Sequence, residues 1–554
     1  MATRQALSLL GIGFVVLPAA VAVVAACGAG NTDDVDGSGN SGNGGSSTLN
    51  PDSTGSFIGT GGSGGGSSSS GGDPKTCAEA ANSKTYIGCD FWPTVTANQV
   101  WDIFDYAVVV ANAGDTPGDV TVTQGGTTIA TATVQPNGLS TIYLPWVKDL
   151  KGQDFDACTY VVPMTASVRS TVGAYHLVST TPITVYQFSA LEFLGQGGPP
   201  GKNWSTCPGL QCGLACASYS NDASLLLPST AMTGNYRITG MPGWPAAGLG
   251  PAVTVTGLQD GTNVTAFLGA AGGILGGGGI PATNGGGQTT FTLNQGEVVE
   301  LVGGASNDFS GSLIKADKPV QVIHAHPCRY VPDDAGACDH LEETVLPAET
   351  LGQHYVVSAP TGPGGAGVPQ LVRIHGNVDG TTLTYPAGMP PGAPSTINAG
   401  QVVDLGSVAQ SFEIQGDHEF AIATFQLGAQ AINPDGGLDA LGDPAQSSST
   451  AVEQYRLKYV FLAPADYTES YVDVVMPTGA TITLDGANVP VSPEPVGAFG
   501  VARIPLSGAG GGAHVLTASA PVGIQVIGYG AYTSYQYPGG LNLDAIAPPP
   551  PPPQ

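Results

Sequence analysis

The sequence predicts an all-β protein built from four tandem antiparallel β-sandwich-like repeats, with a propeller-like ring of the same four repeats as the alternative arrangement. Three observations carry this reading. The 554-residue chain holds 83 glycines and 44 prolines but only 15 lysines and arginines, so long amphipathic helices would lack the charged residues of their wet face. Short runs rich in Val, Thr and Ile alternate between turn residues, as strands do. One pattern then returns four times along the chain.

In chain order, residues 1–27 read as a lipoprotein signal peptide. Arg4 flanks the apolar run "LSLLGIGFVVLPAAVAVVAAC", and Val24-Ala25-Ala26-Cys27 resembles a lipobox, in which the cysteine sulfur is acylated. Two or three acyl chains hold a protein stably on a membrane where one does not. Gly28, standing where an aspartate would favour inner-membrane retention, follows the lipoprotein pattern for the outer membrane. An ordinary signal peptide or an uncleaved anchor is the plainer alternative. Residues 28–74 are rich in Gly, Ser and Asn and bury too little apolar area to offset backbone entropy, which makes them a flexible tether reaching about 35–40 Å. Residues 546–554 form a polyproline tail.

The repeats occupy residues 75–200, 201–328, 329–432 and 433–545. Tyr236, Tyr355 and Tyr459 each open an apolar run that stops at proline ("NYRITGMP", "HYVVSAP", "KYVFLAP"), and Tyr106 opens the first copy, "DYAVVVANAG". An aspartate stands 14 or 16 residues upstream of each: Asp90, Asp222, Asp339 and Asp443. Hairpin segments such as "DVTVTQGGTTIAT" and "LVRIHGNVDGTTLTYP" follow. Each copy closes on a strand opened by Pro182, Pro319 or Pro521, or by Glu419 in the third, a position where a missing N–H does least harm. Four-fold recurrence suits an aspartate that caps a turn better than one that serves a single active site. Extra material enters at "PWVKDLKGQDFDACTY" in the first copy and at the glycine-rich loop 269–287 in the second.

Eight cysteines follow Cys27, an even number that reads as disulfides in an exported chain. The spacing in "CPGLQCGLAC" does not match a paired zinc knuckle. Cys328 and Cys338 bracket "RYVPDDAGA", and a disulfide closing that loop contributes about 3 kcal/mol in the chain-entropy description. The same junction holds His324 and His326, two apart on one strand face, with His340 and Asp339 nearby, a donor set that would suit zinc or another divalent ion. The matching strands of other copies carry Tyr186/Phe188 and Phe425/Leu427, so histidine is not part of the common design, and no metal or cofactor is assigned.

Catalytic signals are absent from the pattern: there is no GxSxG elbow, no HExxH and no phosphate-binding glycine motif joined to a helix. A net charge of -27 leaves no basic stripe for nucleic acid.

Several stretches, among them "CDFWP", "GAYHLVSTTPITVYQF", "NDASLLLP", "ACDHLEETVLP", "GDPAQ" and "IGYGAYTSYQYPGGLNL", resemble the bacterial proteins that carry the IgGFc-binding protein N-terminal domain. The resemblance spans about residues 77–545. It implies an extracellular, non-enzymatic domain for binding or adhesion, often on a lipoprotein, and it supplies no residue-level immunoglobulin site.

The expected function is therefore that of a lipid-anchored surface protein whose loops meet an extracellular protein or glycan. Candidate surfaces are the loops 329–337 and 269–287 and the tyrosines Tyr529, Tyr532, Tyr535 and Tyr537. A metal-dependent hydrolase at the junction between the second and third repeats, and a structural envelope spacer, are the competing classes. If Cys27 is the lipid site, inhibiting lipoprotein signal peptidase leaves the precursor uncleaved, as read from its N-terminal peptide by mass spectrometry.

Overall fold

The computed structural model describes residues 73–112, 114–464, 466–506 and 512–552. Cys27 and all but the last two residues of the tether lie outside the described residues. Strands dominate, and no helix among the described residues is long and apolar enough to cross a membrane.

Every unit is organised around one long strand that serves two antiparallel sheets. In the first unit this strand is His176–Phe188. Its early half pairs with Gly88–Phe91 and Gly118–Gln124, and its late half with Tyr106–Asn112 and Ala223–Leu226. The fourth unit repeats this with Gly512–Gly530, which pairs with Arg456–Ala463, Ile482–Leu484, Glu469–Pro477 and Thr533–Pro538. In the second and third units the strand is broken in two, as Leu313–Ala316 with Val320–Arg329, and Phe412–Gly416 with Phe420–Gln426.

The bend in this strand has one cause in all four units. A side-chain oxygen two residues before Pro182, Pro319, Glu419 or Pro521 accepts a backbone N–H from the neighbouring hairpin. The pairs are Thr180 with Asp119, Asp317 with Asn263, Asp417 with Thr382 and Ser519 with Thr481, at 2.7–2.9 Å. The side chain thus replaces a ladder bond where the strand leaves one sheet for the other.

The opening tyrosines lock the units from inside. The hydroxyl of Tyr236 accepts the N–H of Thr233 and donates to Val320 O; Tyr355 does the same with Gly352 and Phe420 O, and Tyr459 with Arg456 and Val522 O. In the first unit the equivalent strand is Gly88–Phe91, and Phe91, paired with Leu177 five residues before Pro182 as the three tyrosines pair five residues before Pro319, Glu419 and Pro521, holds the matching place without a hydroxyl; Tyr86 instead accepts the N–H of Val460 across the seam. Tyr106 opens the next strand, whose partners correspond to those of Ala252–Gly257.

The last strand of each late sheet lies innermost: Ala223–Leu226, Asp339–Thr344, Gln446–Ser448 and Thr533–Pro538. The first lies beside the second and fourth, and the third beside the same two, closing a four-bladed, propeller-like ring. Two-sheet repeats and a ring are thus both present. The ring is sealed where the two ends of the chain meet: Thr85 bridges Asn542, Tyr86 N–H donates to Leu541 O, and Leu543 N–H donates to Lys84 O. Asp73, where the described chain begins, pairs with Arg456 and Lys458 at 2.7 and 3.0 Å. The second and third units have separate cores, whereas those of the first and fourth merge across the seam.

Replacing Tyr355 by Phe strands a buried N–H at Gly352 and a buried carbonyl at Phe420, and is expected to cost about 1–3 kcal/mol in denaturant unfolding.

Candidate functional site

Two places concentrate chemistry, the ring axis and one end of the ring. Each inner strand pairs with its long strand along one edge and turns the other toward the axis, where backbone groups need partners. Asp222 meets this need three ways: it accepts N–H groups from Ala223, from Glu342 of the second inner strand and from Gln446 of the third, at 2.9–3.0 Å. Asp339 accepts the N–H groups of Asn221 and His340 and the hydroxyl of Thr533, linking the second blade to the first and fourth. Glu343 accepts from Thr344 and Ser448. Asp443 precedes the third inner strand, and Thr533 opens the fourth. Asp90 belongs elsewhere: it sits on the outer strand 88–91, 2.8 Å from His176, beside a cleft of about 250 Å³ between the first two units.

Burial raises the carboxyls of Asp222, Asp339, Asp443 and Glu343 well above the usual carboxylate range, and the three donors on Asp222 oppose the rise. The histidines are buried in the same layer. His324 Nδ1 lies 3.2 Å from Gln446 Oε1, and His326 Nδ1 accepts the N–H of Cys328. His340 contacts His326 O at 3.1 Å and Glu342 at 3.4 Å. Burial pushes His324 down to about 4 and His326 well below its ordinary value, so both are neutral. Among the described residues, no group of three or more His, Cys, Asp or Glu side chains is arranged to hold a metal ion. The axis is a closed polar brace.

The end of the ring is different. Ala107 faces Phe188, Ala252 faces Ala325, Gln370 faces Gln426 and Glu469 faces Tyr529, so the long strands finish where the neighbouring strands begin. Loops at those positions all leave at one end, as do the segments that precede the inner strands. The insertions of the first two units collect there and build a cap. Cys158–Cys212, Cys207–Cys216 and Cys328–Cys338 staple it, while Cys77–Cys89 ties the N-terminal helix Cys77–Ser83 to its strand. Beneath lie Trp101, Phe104, Trp244 and Leu249, with Trp244 and Tyr330 4.2 Å apart between ring centres. The glycine-rich loop 269–287 joins the cap through Leu275, whose N–H donates to Val302 O and whose carbonyl accepts from Ser167.

The proposed contact tyrosines separate sharply. Tyr529, Tyr535 and Tyr537 are fully buried, and their hydroxyls donate to Thr361 O, Ser470 Oγ and Leu462 O. They fill the last blade and offer no surface; Tyr532 alone is partly exposed, donating to Gly437 O. In the loop 329–337, Pro332, Asp333 and Asp334 are exposed, and Arg329 pairs with Asp333 at 2.5 Å. The cap aromatics had no sequence signal beyond the position of the insertions.

The sequence pattern of the IgGFc binding protein family matches residues 222–528, more than half of the chain. The chain belongs to this family. No curated protein and no solved structure matches it. The family match runs from the aspartate at the first inner strand to the late half of the last long strand, so it takes in most of the ring and excludes the first unit's cap insertions.

The buried groups set opposite pH limits. The neutral burial of His324 favours the fold fully above its unfolded value of 6.5, and that contribution is lost as pH falls through about 4. A raised carboxyl contributes fully below its unfolded value and loses that contribution as pH rises through its folded value, which for Glu192 is about 8. Melting temperature followed by calorimetry should therefore peak between these limits and fall on both sides, with Asp443→Asn flattening the alkaline limb.

Proposed function

We propose that this chain is a non-catalytic surface binding and adhesion protein that meets an extracellular protein with the stapled end of its ring. One observation carries the reading: Tyr160 and Leu210 stand 66% and 50% exposed, each two residues from the Cys158–Cys212 bridge. Large apolar side chains held in water on a fixed loop are the anchors that bury into partners. The loop is already ordered, because Asp156 Oδ1 accepts the N–H groups of Cys158 and Tyr160 at 2.8 and 3.0 Å. Binding then costs little further ordering.

Membership in a family of binding proteins supports the general class, and four disulfides suit an oxidising, extracellular setting. The enclosed axis supports a non-catalytic reading. Lipid attachment at Cys27 and placement at the outer membrane belong to the same proposal, with a glycan as the alternative partner.

The test is an array of extracellular proteins and glycans probed with the full-length chain. Retention of a protein ligand is expected, weakened about tenfold or more by joint Tyr160→Ala and Leu210→Ala substitution at unchanged melting temperature. Binding undiminished by those substitutions would remove the stapled end as the contact surface, and no binding to any spot would leave a passive spacer.

A further inference from the structure

We infer that Lys202 and Asp105 join through an intramolecular isopeptide bond whose formation is promoted by Glu192. The three residues come from separate segments: Asp105 immediately precedes the strand Tyr106–Asn112, Glu192 follows the long strand His176–Phe188, and Lys202 precedes the short turn Trp204–Thr206. Lys202 Nζ lies 2.5 Å from Asp105 Oδ2, and the two side chains are only 13% and 18% exposed. Glu192 is 4% exposed; its Oε2 accepts the N–H of Asp105 at 2.9 Å, while its Oε1 is buried without a hydrogen-bond partner. All three groups converge on Gly198, whose φ is 82°. A Cβ there would stand 2.9 Å from Lys202 Cδ, 3.1 Å from Asp105 Oδ2 and 3.3 Å from Glu192 Oε1. Aromatic rings screen the pair, with Lys202 Nζ 4.7 Å over Trp204, itself 5.1 Å from Phe104.

The arrangement supplies each requirement of amide formation. A contact pair of ammonium and carboxylate holds the same protons as an amine beside a carboxylic acid, so one proton shift along the contact frees the amine without any external base. The amine lone pair of Lys202 then attacks Cγ of Asp105. Burial and the neighbouring Asp105 raise Glu192 to about 8, so at neutral pH its carboxyl carries a proton to donate. It hydrogen-bonds the Asp105 oxygen as charge builds there, passes its proton to the departing oxygen and recovers one from the nitrogen. The new C–N bond replaces one C–O bond, and one water leaves; no oxidant or other reactant enters. The product fastens the segment carrying Cys207–Cys216 to the ring by a bond that thiols do not cleave.

Peptide mapping of the reduced, full-length protein tests this. A branched tryptic peptide is expected that contains both Asp105 and Lys202, is uncut after Lys202 and is lighter than its two parts by one water. It should be absent from Asp105→Ala and from Glu192→Ala, with melting curves showing that each variant is folded. Should Glu192→Ala fail to fold, Glu192→Gln keeps the volume and the acceptor for the Asp105 N–H while removing the acid. Two separate peptides of unmodified mass from the wild-type chain would overturn the inference, and a branched peptide persisting without Glu192 would remove that residue's role.

Discussion

The ring depends on how the free edges of four short strands are satisfied at its axis. Each inner strand hydrogen-bonds its long neighbour on one side, and four such edges facing one another in a buried centre cannot all pair as a sheet. Asp222 solves much of the problem by accepting N–H groups from three blades at once, and Asp339 extends the link to the fourth through Thr533. Carboxyls are costly to bury, and their presence here is intelligible because orphaned backbone donors would cost as much. Asp222 and Asp339 serve these edges, whereas the buried Asp443 Oδ1 has no hydrogen-bond partner and the fourth inner strand opens on Thr533, so the aspartate's role is not the same in every blade.

Much of this was legible because it is local. Alternation of period two and the proline at the bend are written within a few residues of each strand, so the β class and its repetition could be read directly. Phe91 shows where local reading slips. It stands in the matching register but carries no hydroxyl, whereas "DYAVVVANAG" at Tyr106 imitates the tyrosine-led pattern, and only strand pairing tells the two apart. Tyr529, Tyr535 and Tyr537 misled for a related reason: tyrosines in a terminal segment look like a contact surface until that segment becomes the innermost strand and its continuation. The histidine-rich junction drew attention through density of ionisable groups, which measures neither access nor mutual geometry. Asp105, Glu192 and Lys202 went unnoticed because about a hundred residues separate the first from the last.

The units divide labour unevenly. No disulfide among the described residues lies beyond Cys338, and the large insertions belong to the first two units. The third and fourth complete the ring with shorter connections and few exposed large apolar groups. Variation concentrated in loops on a conserved frame is how one scaffold acquires different recognition surfaces.

The seating of Asp73 gives the molecule a polarity. Arg456, its partner, pairs with Val522 beside the bend of the last long strand, eight residues and roughly 25 Å from Gly530, where the capped end begins. A pull applied at Asp73 would therefore load the ring beside that bend, away from the stapled end that carries Tyr160 and Leu210.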